Sequence, residues 1–279
     1  MNGFPFAIAV APNGARRGKT DHPRLPIVAG EIARDAAEAL AAGAAMIHMH
    51  VRDAEARHVL DAGLYREATA AVREAVGDRL VVQATTEAVG RYTPAEQIAL
   101  VDALQPESIS IALREILPEG GDEGAARDFL ARTVGAGILL QLIVYDAAEI
   151  ARMADLQARA ILPAGPLALL AVLGRYTETG GTDAELDAFL AAGVSRFPWM
   201  LCAFGAREAH FMARAARHGA HARVGFENNL WLPDGQLAAS NAAIVAATAE
   251  ACAAAGRPLA TAADLRRLWN VAPPAVVQA

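Results

Sequence analysis

The stretch AMIHMHVRDAEARHVLDAGLYREATAAVREAVGDRLVVQAT, Ala45 to Thr85, contains one full period of the pattern on which the fold rests. A short apolar run (Ala45–Val51) gives way to an alanine-rich amphipathic segment (62–76), and a second apolar run (Leu80–Thr85) closes the unit. Apolar runs of this length read as buried strands, and the segment between them has the spacing of a helix with one apolar face. Strand, crossover helix and strand make a βαβ unit with parallel strands.

The same alternation runs outward in both directions. Further strands are predicted at Phe6–Ala11, Ser108–Leu113, Ile138–Tyr145, Leu167–Leu173, Trp199–Phe204 and Ala222–Glu227. Helices are predicted near 29–42, 94–104, 122–134, 147–158, 183–192, 206–217 and 237–255. Thr93-Pro94-Ala95-Glu96 is a clear helix start, with a Thr cap, Pro in the first turn and Glu three residues after the cap; Thr182-Asp183-Ala184-Glu185 opens another helix similarly. Eight strands alternating with eight helices predict an α/β protein, a single (β/α)8 TIM barrel over residues 3–270. Residues 271–279 then form a C-terminal tail on the surface or at a subunit contact. The alternative, a doubly wound open sheet, usually carries a Gly-rich turn after its first strand, and no G-x-G-x-x-G occurs here.

Composition narrows the function classes. Lys plus Arg number 25 against 31 Asp plus Glu, a net charge of −6 that gives no broad attraction to nucleic acid or an anionic membrane. The 8 Phe, 4 Tyr and 3 Trp leave the high apolar fraction to alanine and aliphatic side chains, which suits small-residue helices packed on a Val/Ile/Leu sheet. Cys202 and Cys252 are too few for a disulfide scaffold or an all-thiolate zinc site and read as buried apolar fillers. The apolar start Phe6–Ala11 runs into Pro12-Asn13-Gly14 without the charged head of a signal peptide, and no apolar stretch approaches the roughly 18 residues of a membrane span. A cytoplasmic protein is expected.

In a barrel of this kind, chemistry sits at the C-terminal ends of the strands. Ile47-His48-Met49-His50-Val51-Arg52-Asp53 ends the second strand, and strand alternation puts His48 and His50 on one face. Two neighbouring imidazoles in an apolar strand are costly unless satisfied; a bound divalent cation does this, and the competing reading is a hydrogen-bonded pair of core histidines. In the last strand, alternation places Arg223, Gly225 and Glu227 on one face, with Gly225 leaving room between the charged side chains. Strands two and eight are both even-numbered and share inward layers, so His48, His50 and Glu227 are the expected metal ligands. That donor set suits catalytic Zn2+, with another divalent metal as the second choice.

Other polar residues share the rim. Thr85, Thr86 and Glu87 end the third strand; Ser108, Ser110 and Arg114 share a face of the fourth; Gln141 interrupts an otherwise apolar fifth. Arg114 can fork onto a substrate carboxylate or pair with Glu115 or Glu87. Asp146 reads as a helix cap, and His210, His218 and His221 as surface histidines. Gly14–Thr20 has three residues between its glycines where a phosphate loop has four, and no G-x-S-x-G is present.

On these residues the chain resembles the β-keto acid cleavage enzymes, whose founding activity is 3-keto-5-aminohexanoate cleavage. Ala9–Ala15, Leu25-Pro26-Ile27, Glu31-Ile32-Ala33, Ala42–Asp53 and Arg223–Leu230 are similar to the family's blocks. The resemblance implies a zinc-dependent TIM barrel that converts a β-keto acid and acetyl-CoA into acetoacetate and a new acyl-CoA, working as a homo-oligomer, with a tetramer favoured. It also implies that His48, His50 and Glu227 hold the metal and that Arg223 orients the catalytic carboxylate. Three features depart from the family. Asn228 stands where members commonly carry an Asp proposed as general base, so Glu87 and Glu115 become the rim candidates. Gln141 and Ile143 stand in a strand where many members carry Glu, which argues against an amino-substituted substrate. Thr85–Tyr92 replaces a Gly-rich turn. Thr85, Thr86, Ser110, Arg114 and Gln141 are the candidate substrate contacts. Arg16, Arg17, Lys19 and Arg91 are either CoA-phosphate contacts or a solvated basic loop. Two rival readings are a metal-dependent hydrolase on a TIM barrel and a metal-stabilised ligand-binding barrel that has lost catalysis.

Overall fold

Parallel pairing runs unbroken around the sheet of this computed structural model, which describes residues 4–165, 167–175 and 180–269. The strands are β1 (Ile8–Val10), β2 (Met46–Met49), β3 (Val81–Thr85), β4 (Ser108–Ala112), β5 (Leu139–Val144), β6 (Ala168–Leu173), β7 (Trp199–Ala203) and β8 (His221–Val224). Each pairs with its sequence neighbour, and β8 returns to β1 through Ile8 opposite Ala222, closing the barrel. Ten α-helices lie among the described residues: α1 (Ala29–Ala41), α2 (Ala62–Val76), α3 (Pro94–Leu104), α4 (Leu113–Ile116), α5 (Glu123–Gly135), α6 (Ala147–Ala158), α7 (Asp183–Ala191), α8 (Glu208–Ala216), α9 (Asn241–Cys252) and α10 (Ala262–Leu268).

Local chemistry sets the helix starts. Thr93 and Thr182 cap α3 and α7 in reciprocal boxes with Glu96 and Glu185, while Asp61 and Asp146 accept the backbone N–H of Leu64 and Glu149. Strand alternation then divides the core in two. Ile8, Val10, Ile47, Met49, Val82, Ile109 and Ile111 face outward and pack beneath the helices. Ala7, Ala9, Met46, Val81, Leu170 and Met200 point into the barrel. Small residues on β1 leave space for bulkier ones across the interior, as layered packing requires.

The N-terminal end is plugged by α10, whose Ala262 and Leu265 join the interior cluster together with the preceding Ala260. Arg266 locks it there: its Nε donates to Glu107 Oε1 at 2.7 Å, while Glu107 Oε2 pairs with Arg73 and accepts the backbone N–H of Val82. Neither α10 nor the single turn α4 is predicted from periodicity, since each is too short to develop a repeat.

Two expectations are corrected here. The eighth strand stops at Val224 instead of reaching Glu227, because Gly225 turns the chain at φ +137°. His221 is not a surface histidine: it is buried at the first position of β8, and its Nδ1 accepts the N–H of Ala7 at 3.0 Å. His210 and His218 are exposed, and His210 pairs with Asp183. No helix among the described residues is long and apolar enough to cross a membrane. The predicted tail, 271–279, lies outside the described residues.

Candidate active site

At the C-terminal mouth of the barrel, β2 delivers His48 from within the strand and His50 one residue beyond it. Their backbone is pinned from β1's side. Asn13 is fully buried, accepts the His50 N–H at 3.2 Å and donates to the His50 carbonyl at 2.8 Å. Glu227 comes from the turn after β8. Its N–H bonds to the Ala11 carbonyl at 3.1 Å, and Phe226 N–H bonds to Asn241 Oδ1 at 2.8 Å, so the turn is fastened to the start of the chain and to α9.

His48 Nε2 and His50 Nε2 lie 3.1 Å apart, and Glu227 Oε2 lies 3.6 Å from each. A point equidistant from atoms so spaced is about 2.0 Å from each, the length of a zinc–nitrogen or zinc–oxygen bond. Glu227 Oε2 is buried without a hydrogen-bond partner, which a cation at that point would supply. His48 Nδ1 lies 2.9 Å from Gln83 Oε1 and, as donor, leaves Nε2 with its lone pair toward the centre. Gln83 is held in turn by Ser108 Oγ at 3.1 Å and Gln141 Oε1 at 3.3 Å. The three residues fit a divalent metal.

The electrostatics agree with that donor set. Burial, then the charge of Arg223, holds the His48 imidazole well below its usual pKa, so its nitrogen is available. Burial alone would raise the Glu227 carboxyl, yet Arg223, His50 and His48 together keep it ionised far below the usual range. Arg223 reaches Glu227 Oε1 from Nη2 at 3.3 Å, and its Nε and Nη1 are buried without partners. One side chain thus secures the Glu227 carboxylate while its Nε and Nη1 stay without a partner.

Above this cluster lies a cavity of about 430 Å3 lined by Arg223, Glu227, His48, Thr85, Glu87, Arg114 and Glu115 among others. Glu87 Oε2 is 3.8 Å from His50 Nδ1, and burial raises the Glu87 carboxyl above its ordinary pKa. Glu115 also lines the cavity and is also raised by burial, but its Oε2 is occupied by the Ala88 N–H and Gln97 Nε2, each at 3.0 Å. Thr85 reaches the cavity, with Oγ1 accepting the Glu87 N–H. Thr86, Ser110 and Gln141 are fully buried and do not line it: Thr86 bonds to the Ser110 carbonyl, and Gln141 supports Gln83 from below. Arg114 lines the cavity paired with Asp146 and Glu149 at 2.8 and 2.9 Å, not with Glu115 or Glu87, and its guanidinium stacks on Tyr145. Asp146 therefore does more than cap α6. Asn228 is buried, with neither amide atom bonded, and does not line the cavity.

Four residues here are not marked by the sequence. Asn13, Gln83, His58 and Tyr145 are single polar groups in apolar or loop surroundings, with no spacing motif to single them out. His58 packs 5.0 Å from the His50 ring and contacts the Glu87 carbonyl through Nε2 at 3.0 Å. Its loop is ordered by the preceding residue, Arg57, which donates to Asp53 at 2.9 Å.

A family model described as beta-keto acid cleavage enzyme matches residues 5–271. The 3-keto-5-aminohexanoate cleavage enzyme of Fusobacterium nucleatum is 28% identical over 271 residues, covering 95% of this chain and 97% of the relative. The 3-oxoadipate:acetyl-CoA acetyltransferase of Cupriavidus necator is 28% identical over 276 residues, covering 96% and 95%. Among solved structures, a binary complex of ObcA with oxaloacetate superposes with a TM-score of 0.70 at 18% identity, over 89% of this chain and 68% of that one, a likeness of fold alone.

Proposed function

The chain belongs to the beta-keto acid cleavage enzyme family, and from that premise we propose that it is a zinc-dependent transferase that condenses a β-keto acid with acetyl-CoA to give acetoacetate and a new acyl-CoA. The catalytic domain is the barrel, residues 3–270. The observation that carries the reading is the His48, His50 and Glu227 triangle, its unpartnered Oε2 turned to the centre, beneath a cavity that Arg223 and Glu87 also reach. The amidohydrolase-type rival needs further metal-binding side chains on the middle strands, and among the described residues this triangle is the only such group.

Held by these three ligands, Zn2+ would supply Lewis-acid polarisation of the substrate's oxygens. The residues around it divide the remaining work. Glu87 takes a proton from the carbon between the keto and carboxylate groups; its burial raises its basicity toward the working pH. Glu115 is tied to Ala88 and Gln97 and shapes the wall. The resulting carbanion adds to the thioester carbon of acetyl-CoA, CoA sulfur passes within the adduct to the original keto carbon, and the bond between that carbon and its neighbour breaks. Acyl-CoA leaves, and the acetoacetate carbanion recovers the proton from Glu87. The unpartnered Nε and Nη1 of Arg223 meet negative charge as it develops. Thr85 contributes its hydroxyl to the placing of Glu87, and Asn228, buried outside the cavity lining, cannot accept a proton at neutral pH and does not serve as the base.

Metal-loaded protein incubated with acetyl-CoA and a panel of β-keto acids is expected to form acetoacetate, read by mass spectrometry; none from any substrate would overturn the proposal. We also read the enzyme as a homo-oligomer, with a tetramer favoured. Trp231 and Leu237, bridged to one another, are 45% and 48% exposed, apolar surface that a second subunit would cover. A monomer by light scattering would refute this.

A further inference from the structure

We propose that the substrate is a β-keto acid with an uncharged, apolar acyl tail, laid against a wall formed by Ile143, Val172 and Phe204. The inference rests on the cleavage reading above and names the substrate class of that site.

The cavity has two unlike sides. The metal ligands, Arg223, Thr85 and Glu87 come from β2, β3 and β8 or the turns after them. Across the mouth, β5 contributes Ile143, β6 Val172, and the end of β7 Phe204. These three are 6%, 3% and 8% exposed and belong to one apolar cluster with Ala112 and Cys202. With the keto and carboxylate groups turned to the His48, His50 and Glu227 triangle and Arg223, the rest of the acid would extend toward that wall. A charged tail would bury its charge there without a partner.

Arg16, Arg114, Arg175 and Glu115 also line the cavity. Arg114 is already met by Asp146 and Glu149 and stacks on Tyr145. Arg175 is exposed and lines the cavity, its guanidinium 5.5 Å from the Tyr145 ring. Glu115 spends Oε2 on Ala88 and Gln97.

Three six-carbon β-keto acids isolate tail chemistry at constant length: 3-oxohexanoate, 3-oxoadipate and 3-keto-5-aminohexanoate, with apolar, anionic and cationic tails. With metal-loaded enzyme and acetyl-CoA, kcat/KM for 3-oxohexanoate is expected to exceed the other two by at least tenfold, and to rise about fourfold per methylene from 3-oxopentanoate to 3-oxohexanoate. Ile143→Glu is expected to erase that preference, and Ile143→Ala to flatten the chain-length series while still turning over, which guards against loss by misfolding. Preference for 3-oxoadipate, abolished by Arg175→Ala, would overturn the proposal in favour of an anionic tail. Preference for the amino acid would overturn it in favour of a cationic one. In both cases acetoacetate still forms and the cleavage reading stands. No acetoacetate from any of the acids would remove that reading and this proposal with it.

Discussion

Two carboxylic acids, Glu87 and Glu115, compete for one role, and their hydrogen bonds separate them. Glu115 is satisfied by the chain around it, whereas Glu87 faces the cavity with its Oε2 3.8 Å from His50 Nδ1. Glu87→Gln is expected to lower kcat by a factor of about 10²–10⁴ with metal content unchanged. Glu115→Gln should stay within about tenfold of the parent. Because burial raises the Glu87 pKa, activity should climb with pH on the acid side as the carboxyl ionises, and this limb should vanish in Glu87→Gln. Equal losses from both variants would dismiss the assignment. Gln83 acts through His48: Gln83→Leu frees Nδ1 to choose its tautomer, and metal affinity by competitive chelation should drop roughly 10- to 100-fold. Unchanged affinity would mean that Gln83 does no more than fill space.

At the level of elements, the turn after β8 decides whether Glu227 arrives. Sequence alternation places Glu227 on the inner face of an extended strand, and the side chain does arrive there, but by a different backbone. Gly225 at φ +137° ends the strand, and a Cβ on it would stand 2.5 Å from the Ala11 carbonyl oxygen and 2.8 Å from Asn241 Oδ1. The glycine lets its own backbone meet the Ala11 backbone and the Asn241 side chain, and that demand is invisible to a reading that sees only room between two charges. Gly225→Ala is therefore expected to lower the melting temperature and to reduce bound metal. Gly235→Ala is the control, since Gly235 also has positive φ, at +84°, but open space around its Cβ position. It should cost about 1 kcal/mol of backbone strain and leave metal content intact. Full metal occupancy in Gly225→Ala would show that the turn tolerates displacement.

Across the whole molecule, the strands and the shared face of His48 and His50 were legible because both follow periods of two along the chain, as does the alternation that sorts Ile8 and Val10 from Ala7 and Ala9. Asn13, Gln83 and α10 were not, since each has its meaning only through a partner far away in sequence. Two buried titratable groups outside the His48, His50 and Glu227 triangle, Glu208 and His221, make stability depend on pH. Glu208, at the start of α8, is pushed by burial to about 8, with one oxygen bonded to Asn229 and the other unpartnered. The unfolded chain releases this proton near the ordinary glutamate value of 4.5 and the folded chain only near 8, so the contribution is intact below 4.5 and is lost as pH rises through 8. His221 runs the other way. Burial and then Arg257 depress it to about 3 from 6.5, and stability is lost as pH falls through that window because the unfolded chain binds the proton first. The two groups oppose one another between about 4.5 and 6.5, whereas from about 6.5 to 8 only Glu208 of the pair acts. Urea midpoints measured from pH 6.5 to 8 should therefore decline in the parent and decline distinctly less in Glu208→Gln. His221→Gln, which keeps an acceptor for the Ala7 N–H, should change the slope only below about 6.5. Parallel slopes for parent and Glu208→Gln would mean that the carboxyl stays ionised inside the fold.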